Sequence, residues 1–270
     1  MFSGVLVAFG IFGLISYFVH VSAKNGKWTA LEAVGVTVFI YFVGQILGGL
    51  IAYSIASVLG YDRAAAADWI EKSTIGQFVA ISLIEAISVG LLYAFLKRRG
   101  ASWRSIGLAG KLQLRDIGYA LAGYGVYFVL YVAAVILATK FWPGFNAEQR
   151  QEIGFEAAKG TQLILVFVSL VILPPLVEEI LMRGFLYTGL RRHMTKFHAT
   201  IITSVMFALA HLQAGSGSAL LWVAAVDTLV LSVVLVHLRE KTDKLWASMG
   251  LHALKNFVAF MSLFVLHIAK

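Results

Sequence analysis

Long apolar runs broken by short polar intervals set the pattern of this chain. Eight can be drawn, over residues 2–22, 31–60, 74–96, 116–141, 161–182, 197–213, 218–238 and 245–268. Most approach the ~20 residues that a helix needs to cross the ~30 Å hydrocarbon core of a bilayer. The pattern predicts an all-α, polytopic transmembrane helix bundle of about eight spans, a single domain over residues 1–270. The run at 31–60 is long enough to tilt or kink. Its Gly44 and Gly48 form a small-xxx-small pair, which lets two helices approach closely. The run at 197–213 is the weakest prediction, being short for a span. The first run lacks a basic leading region and a small-residue cleavage site, so it reads as a span and not as a removed signal peptide.

Composition agrees. Of 270 residues, 60% are hydrophobic and 13% charged, against roughly 25% charged in soluble domains. A chain this apolar takes lipid as its solvent, which makes it a multi-pass integral membrane protein, of the plasma membrane if the cell is bacterial. The net charge of +8 would suggest nucleic acid in a soluble protein. Here no long basic segment lies outside the apolar runs, so nucleic acid is not expected as a partner. Arg183 apart, the loops after the first, third, fifth and seventh runs hold 14 Lys and Arg, and the alternate loops, 61–73, 140–160 and 213–217, hold five. That alternation places the basic intervals in the cytoplasm and both termini outside. A basic face of this kind attracts anionic lipid headgroups. Residues 101–115 mix Trp, Ile and Leu with basic side chains, which suits either a segment lying on the membrane face or an ordinary basic loop. The absence of cysteine excludes disulfides, thiolate metal sites and cysteine nucleophiles.

Ionisable residues inside a membrane point to function by default, because a buried charge is costly. The densest cluster follows Pro174 and Pro175, as Glu178, Glu179 and Arg183. Glu179 and Arg183 are four apart and share a helix face, so they can pair. Adjacent carboxylates point about 100° apart, so Glu178 and Glu179 are not expected to share a partner, and Glu178 is left to face something else. The two prolines carry no N–H, so the carbonyls of Leu170 and Val171 lose their helix donors one turn before Glu178. Phe207 and His211 share one face of the sixth run, and His252 and Asn256 share one face of the eighth. Together these residues can hydrolyse an amide. Glu178 would be general base toward water. One histidine would position that water or ligate a metal that activates it, while the other and Asn256 would donate hydrogen bonds to the oxyanion. H-E-x-x-H spacing is absent, so a metal would need ligands from three helices, namely Glu178, His211 and His252. Lys255 points away from His252 and Asn256 and is expected to pair with an acid. Glu85 and Asp227 could be structural or could line an access path.

In order, E-E-x-x-x-R at 178–183, F-x-x-x-H at 207–211 and H-x-x-x-N at 252–256 resemble the CAAX prenyl protease and bacteriocin-processing family, also called the Abi family. The stretch from Arg239 to Trp246 is also similar to the family's approach to its last motif. The likeness covers mainly 165–260, and the first four runs match only in general character. It implies an eight-helix intramembrane endopeptidase with Glu178 as catalytic carboxylate, Glu179 and Arg183 as its support, and His211, His252 and Asn256 completing the site. It also implies a peptide or lipidated-protein substrate. Zinc or another divalent metal and a metal-free mechanism have both been argued for the family. Two other classes remain open, a transporter using the buried acids and histidines, and a non-catalytic binding or immunity protein. A helix count leaves one tension. Glu178 falls near the cytoplasmic end of its run, whereas His211 falls ~20 Å from its own cytoplasmic interval at ~1.5 Å per residue.

Overall fold

A computed structural model describes residues 27–148, 154–212 and 220–268. Regular structure among these residues is helical, with no β-strand. The helices are α1 (Ala30–Val58), α2 (Arg63–Lys72), α3 (Thr74–Arg98), α4 (Leu114–Phe141), α5 (Gly160–Arg191), α6 (Lys196–Ala210), α7 (Trp222–Thr242) and α8 (Trp246–Val265). Six of them, all but α2 and α6, are long and apolar enough to cross a membrane. The short α6, 15 residues long, occupies the sixth predicted run. The predicted run at 2–22 lies outside the described residues.

Local sequence sets the helix starts. Thr29 and Glu32 form a capping box on α1, while Asp62, Ser73 and Thr195 accept from backbone N–H groups at the starts of α2, α3 and α6. Each such cap contributes roughly 0.5–2 kcal/mol. The interval 61–73, read as a loop, contains the unexpected helix α2. Its apolar content is too low to register as a span.

Close packing of α1 on α3 runs through the predicted glycine pair. A Cβ at Gly48 would lie 2.5 Å from Ile84 Cγ1 and 3.0 Å from Ile84 N, and one at Gly44 would lie 2.6 Å from Ser88 Oγ. The start of α1 is fastened to α5 by Trp28, whose ring stacks on Phe185 with centroids 5.0 Å apart. Its indole N–H also donates to Phe185 O at 3.3 Å. A buried Glu32–Arg99 ion pair joins the same end to the close of α3. Helix α7 packs against α4, α6 and α8, burying Leu231, Leu235 and Val236.

The main departure from expectation is the length of α5. The predicted run stops at 182 because Arg183 reads as the start of a polar interval. In the fold α5 continues to Arg191, and Arg183 is wholly buried. Glu178 therefore lies 13 residues, or ~20 Å, from the basic end of its helix. His211 lies 15 residues, or ~22 Å, from the start of α6. The two depths match, and the tension in the helix count disappears. Helix α5 is also irregular, with π-helical stretches at Val168–Ile172 and Ile180–Leu186 enclosing the α-helical turn that bears the prolines and both glutamates.

Residues 101–113, within the segment 101–115 read as a membrane-face segment or an ordinary basic loop, are tied to the bundle. They form one 3₁₀ turn, Trp103–Ile106, with Ile106 fully buried. Leu245 N–H donates to Gly107 O at 3.1 Å, and Trp246 Nε1–H donates to Gly110 O at 3.2 Å. The segment thus covers the turn between α7 and α8, so α8 starts beneath it.

The glycine contact makes a direct prediction. Gly48→Leu should cost about 1–3 kcal/mol through overpacking and lower the melting temperature in detergent. Gly49→Leu, where an added Cβ meets nothing within 4 Å, should leave it unchanged.

Candidate active site

Three helices deliver the predicted residues to one place. Glu178 and Glu179 come from α5, His211 from the C-terminal cap of α6, and His252 from α8. The Oε2 atom of Glu178 lies 3.8 Å from Nε2 of His211 and 3.8 Å from Nε2 of His252. That atom is buried and has no hydrogen-bond partner. A separation of 3.8 Å is too long for a direct hydrogen bond.

Glu179 has a different job from its neighbour. Its carboxylate is fully buried, and Oε1 accepts from Arg183 Nη1 at 2.9 Å and from His252 Nδ1 at 3.1 Å. The expected Glu179–Arg183 pair is present. The adjacent carboxylates share no hydrogen-bond partner, although His252 lies between them. An imidazole carries nitrogens on two edges, so one ring meets Glu179 through Nδ1 and faces Glu178 through Nε2.

The partners assign the tautomers. His211 Nδ1 lies 2.9 Å from Phe207 O. A carbonyl only accepts, so Nδ1 carries the proton. His252 Nδ1 meets Glu179 Oε1, which also accepts from Arg183, and carries its proton for the same reason. In the neutral rings both Nε2 atoms then present lone pairs toward Glu178. Three acceptors face one point, and only donors or a positive charge can occupy it. An imidazole serving as oxyanion donor there must first be protonated.

Phe207 is the platform beneath this cluster. Its buried ring carries the Arg183 guanidinium with Cζ 4.3 Å from the centroid, packs on His211 at 4.5 Å and meets His252 edge-on at 5.8 Å. Tyr41, which the sequence reading missed, donates its hydroxyl to Ala210 O at 3.1 Å. It thereby holds the end of α6 that bears His211. No local motif marks this tyrosine among ten in the chain.

Asn256 Nδ2 donates to Leu170 O at 2.8 Å, the carbonyl that Pro174 deprives of a helix donor. Through it α8 supplies the N–H that the proline lacks. The other buried charges are also placed. Lys255 Nζ pairs with Asp227 at 2.8 Å, and Tyr127 donates its hydroxyl to the same acid, tying α4, α7 and α8 together. Glu85, half-buried on α3, lies within electrostatic range of Glu178.

Two imidazole lone pairs and a carboxylate are the donor types of a zinc site. As placed, no group of three or more His, Asp and Glu among the described residues is arranged to hold a metal ion.

Apolar helices around a buried acid–imidazole cluster define a multi-pass integral membrane protein with a hydrolase-like constellation in its interior. Residues 160–258 match the family model described as Type II CAAX prenyl endopeptidase Rce1-like. That stretch is an Rce1-like domain, and it contains every side chain of the cluster except Tyr41 and Glu85. No curated protein and no solved structure matches the chain.

The two glutamates should respond oppositely to neutralisation. Glu179→Gln leaves Arg183 buried and uncompensated, a loss of about 3–5 kcal/mol. Glu178→Gln removes an unpaired charge and should leave the melting temperature unchanged or raised. The break in α5 gives a second test. Asn256→Ala should cost about 1–3 kcal/mol by orphaning Leu170 O. Adding Pro174→Ala to that variant restores a backbone donor and should recover stability, a coupling that a double-mutant cycle in thermal unfolding measures.

Proposed function

We propose that the chain is an intramembrane endopeptidase that hydrolyses peptide bonds of membrane-associated or lipidated peptides, with Glu178 as general base. The observation that carries this reading is the convergence of Glu178 Oε2 and two imidazole Nε2 atoms inside the Rce1-like domain. An Rce1-like domain supports CAAX-type prenyl endopeptidase activity, and the cluster supplies parts such a reaction needs.

In this mechanism a water held between Glu178 and the imidazoles gives a proton to the carboxylate as its oxygen attacks the scissile carbonyl. The carbonyl π electrons move onto oxygen. His252, whose Nδ1–H is held by Glu179, is the ring best supported as an imidazolium, and its Nε2–H then donates to that oxyanion. Collapse breaks the C–N bond, and the proton held by Glu178 passes to the departing nitrogen. His211 positions the water from the α6 C-terminus. Arg183, Phe207 and Asn256 act through the residues they hold. Asp227, which the transporter reading would use, is already paired with Lys255 and Tyr127.

The test compares membrane proteomes of cells carrying wild type or Glu178→Gln. Peptide termini present with wild type and absent with the variant are expected, at equal protein abundance. Identical terminal peptides in the two samples would remove Glu178 from any proteolytic role.

A further inference from the structure

One acid inside the bundle has no task in the proposed chemistry. Glu85 forms no hydrogen bond or ion pair among the described residues, and an ionisable side chain within a membrane span points to function by default. The buried cations of the bundle are already paired, Arg99 with Glu32, Arg183 with Glu179 and Lys255 with Asp227. Glu85 is half-buried, and its unpaired carboxylate oxygens remain accessible.

Helix spacing fixes the direction of Glu85. Ile81, Glu85, Ser88, Leu92 and Phe95 recur at intervals of four and three, which puts them on one stripe of α3. Ile81 packs in a cluster with Val166 and Leu170 of α5, and Phe95 meets Phe185 of α5 with ring centroids 5.3 Å apart. Glu85 stands between the two and faces the same helix. Two contacts fix its height. Thr74 hydrogen-bonds Gln162 at 3.5 Å, and Phe95 lies on Phe185, so α3 and α5 run in the same direction. Interpolating between these contacts places Glu85 level with Leu173–Pro175, ~5–8 Å along the axis from Glu178 at ~1.5 Å per residue. The turn Leu173–Glu179 does pack against α3, and Glu85 and Glu178 lie within electrostatic range of each other. Glu178 and His211 also keep accessible surface, with side chains 28% and 26% exposed.

An extended peptide rises ~3.3 Å per residue. A chain with its scissile bond at Glu178 therefore reaches the level of Glu85 about two residues away. A carboxylate in an apolar bundle is costly until a cation sits beside it. A lysine or arginine side chain removes that cost, and an apolar side chain does not. We infer that Glu85 is a specificity-determining residue, accepting from the ammonium or guanidinium group of a basic substrate residue about two positions from the scissile bond. The inference rests on the peptidase reading, which supplies the substrate and its alignment on Glu178.

Two probes that differ by one charge test this apart from cleavage. Full-length protein in neutral detergent would be titrated with N-octanoyl-lysine amide and with N-octanoyl-norleucine amide, following calorimetric Kd. Wild type should bind the lysine probe about tenfold more tightly. Glu85→Gln should erase that preference, Glu85→Asp should keep it in weaker form, and Glu71→Gln, exposed on α2, should leave it whole. In membrane proteomes, the termini that depend on Glu178 should carry Lys or Arg about two residues from the new end, and Glu85→Gln should lose that bias. Wild type without a lysine preference, or a preference that survives Glu85→Gln, overturns the assignment. Identical termini in wild type and Glu178→Gln would instead remove the peptidase reading, while the probe titration still decides whether Glu85 takes a cation.

Discussion

A carboxylate with no solvent exposure, inside a bundle of apolar helices, must be surrounded by donors or give up its charge. Glu179 meets that requirement through one oxygen, which accepts from Arg183 and from His252. The rest of the cluster follows from this arrangement. Arg183 is paired within α5 through Nη1 and lies over the Phe207 ring. His252 is turned so that one ring nitrogen is occupied and the other faces Glu178. With its neighbour supplying the structural role, Glu178 needs no protein partner and is left open to chemistry.

The helix carrying both glutamates is the least regular in the bundle. Its π-helical stretches stand on either side of the turn from Leu173 to Glu179, and two prolines occupy the start of that turn. π-Helical insertions recur at functional sites, and the physical reason is visible here. Breaking the backbone ladder frees carbonyls and re-aims side chains, but the freed groups need partners in a medium without water. Asn256 fills that need at Leu170. One polar contact from α8 thus stabilises the distortion that presents Glu178, while His252 one turn earlier on the same helix meets the glutamates directly.

Depth in the bundle is the second organising constraint. Helix α6 ends after 15 residues, and α5 runs 13 residues past Glu178, so the carboxylate and His211 reach a common level. Helix α8 joins them because its start lies beneath the segment at 101–113.

Much of this was legible in the residues alone. Apolar run length dictates a helical membrane protein, since a bilayer leaves the backbone few other ways to satisfy itself. Spacing by four along a helix makes Glu179–Arg183 a pair and puts Phe207 with His211, because such geometry is local. Gly44 and Gly48 announced a close helix contact without naming its partner. What depends on the assembled bundle could not be read from any segment. Whether Arg183 ends a span or lies at the centre of one is decided by Phe207 packing over it from another helix. That His252 lies between the two glutamates, and that Asn256 meets Leu170, is decided by the axial offset of α8 against α5. Sequence spacing records which way side chains point around one helix, and it carries no information about how far that helix slides past its neighbour.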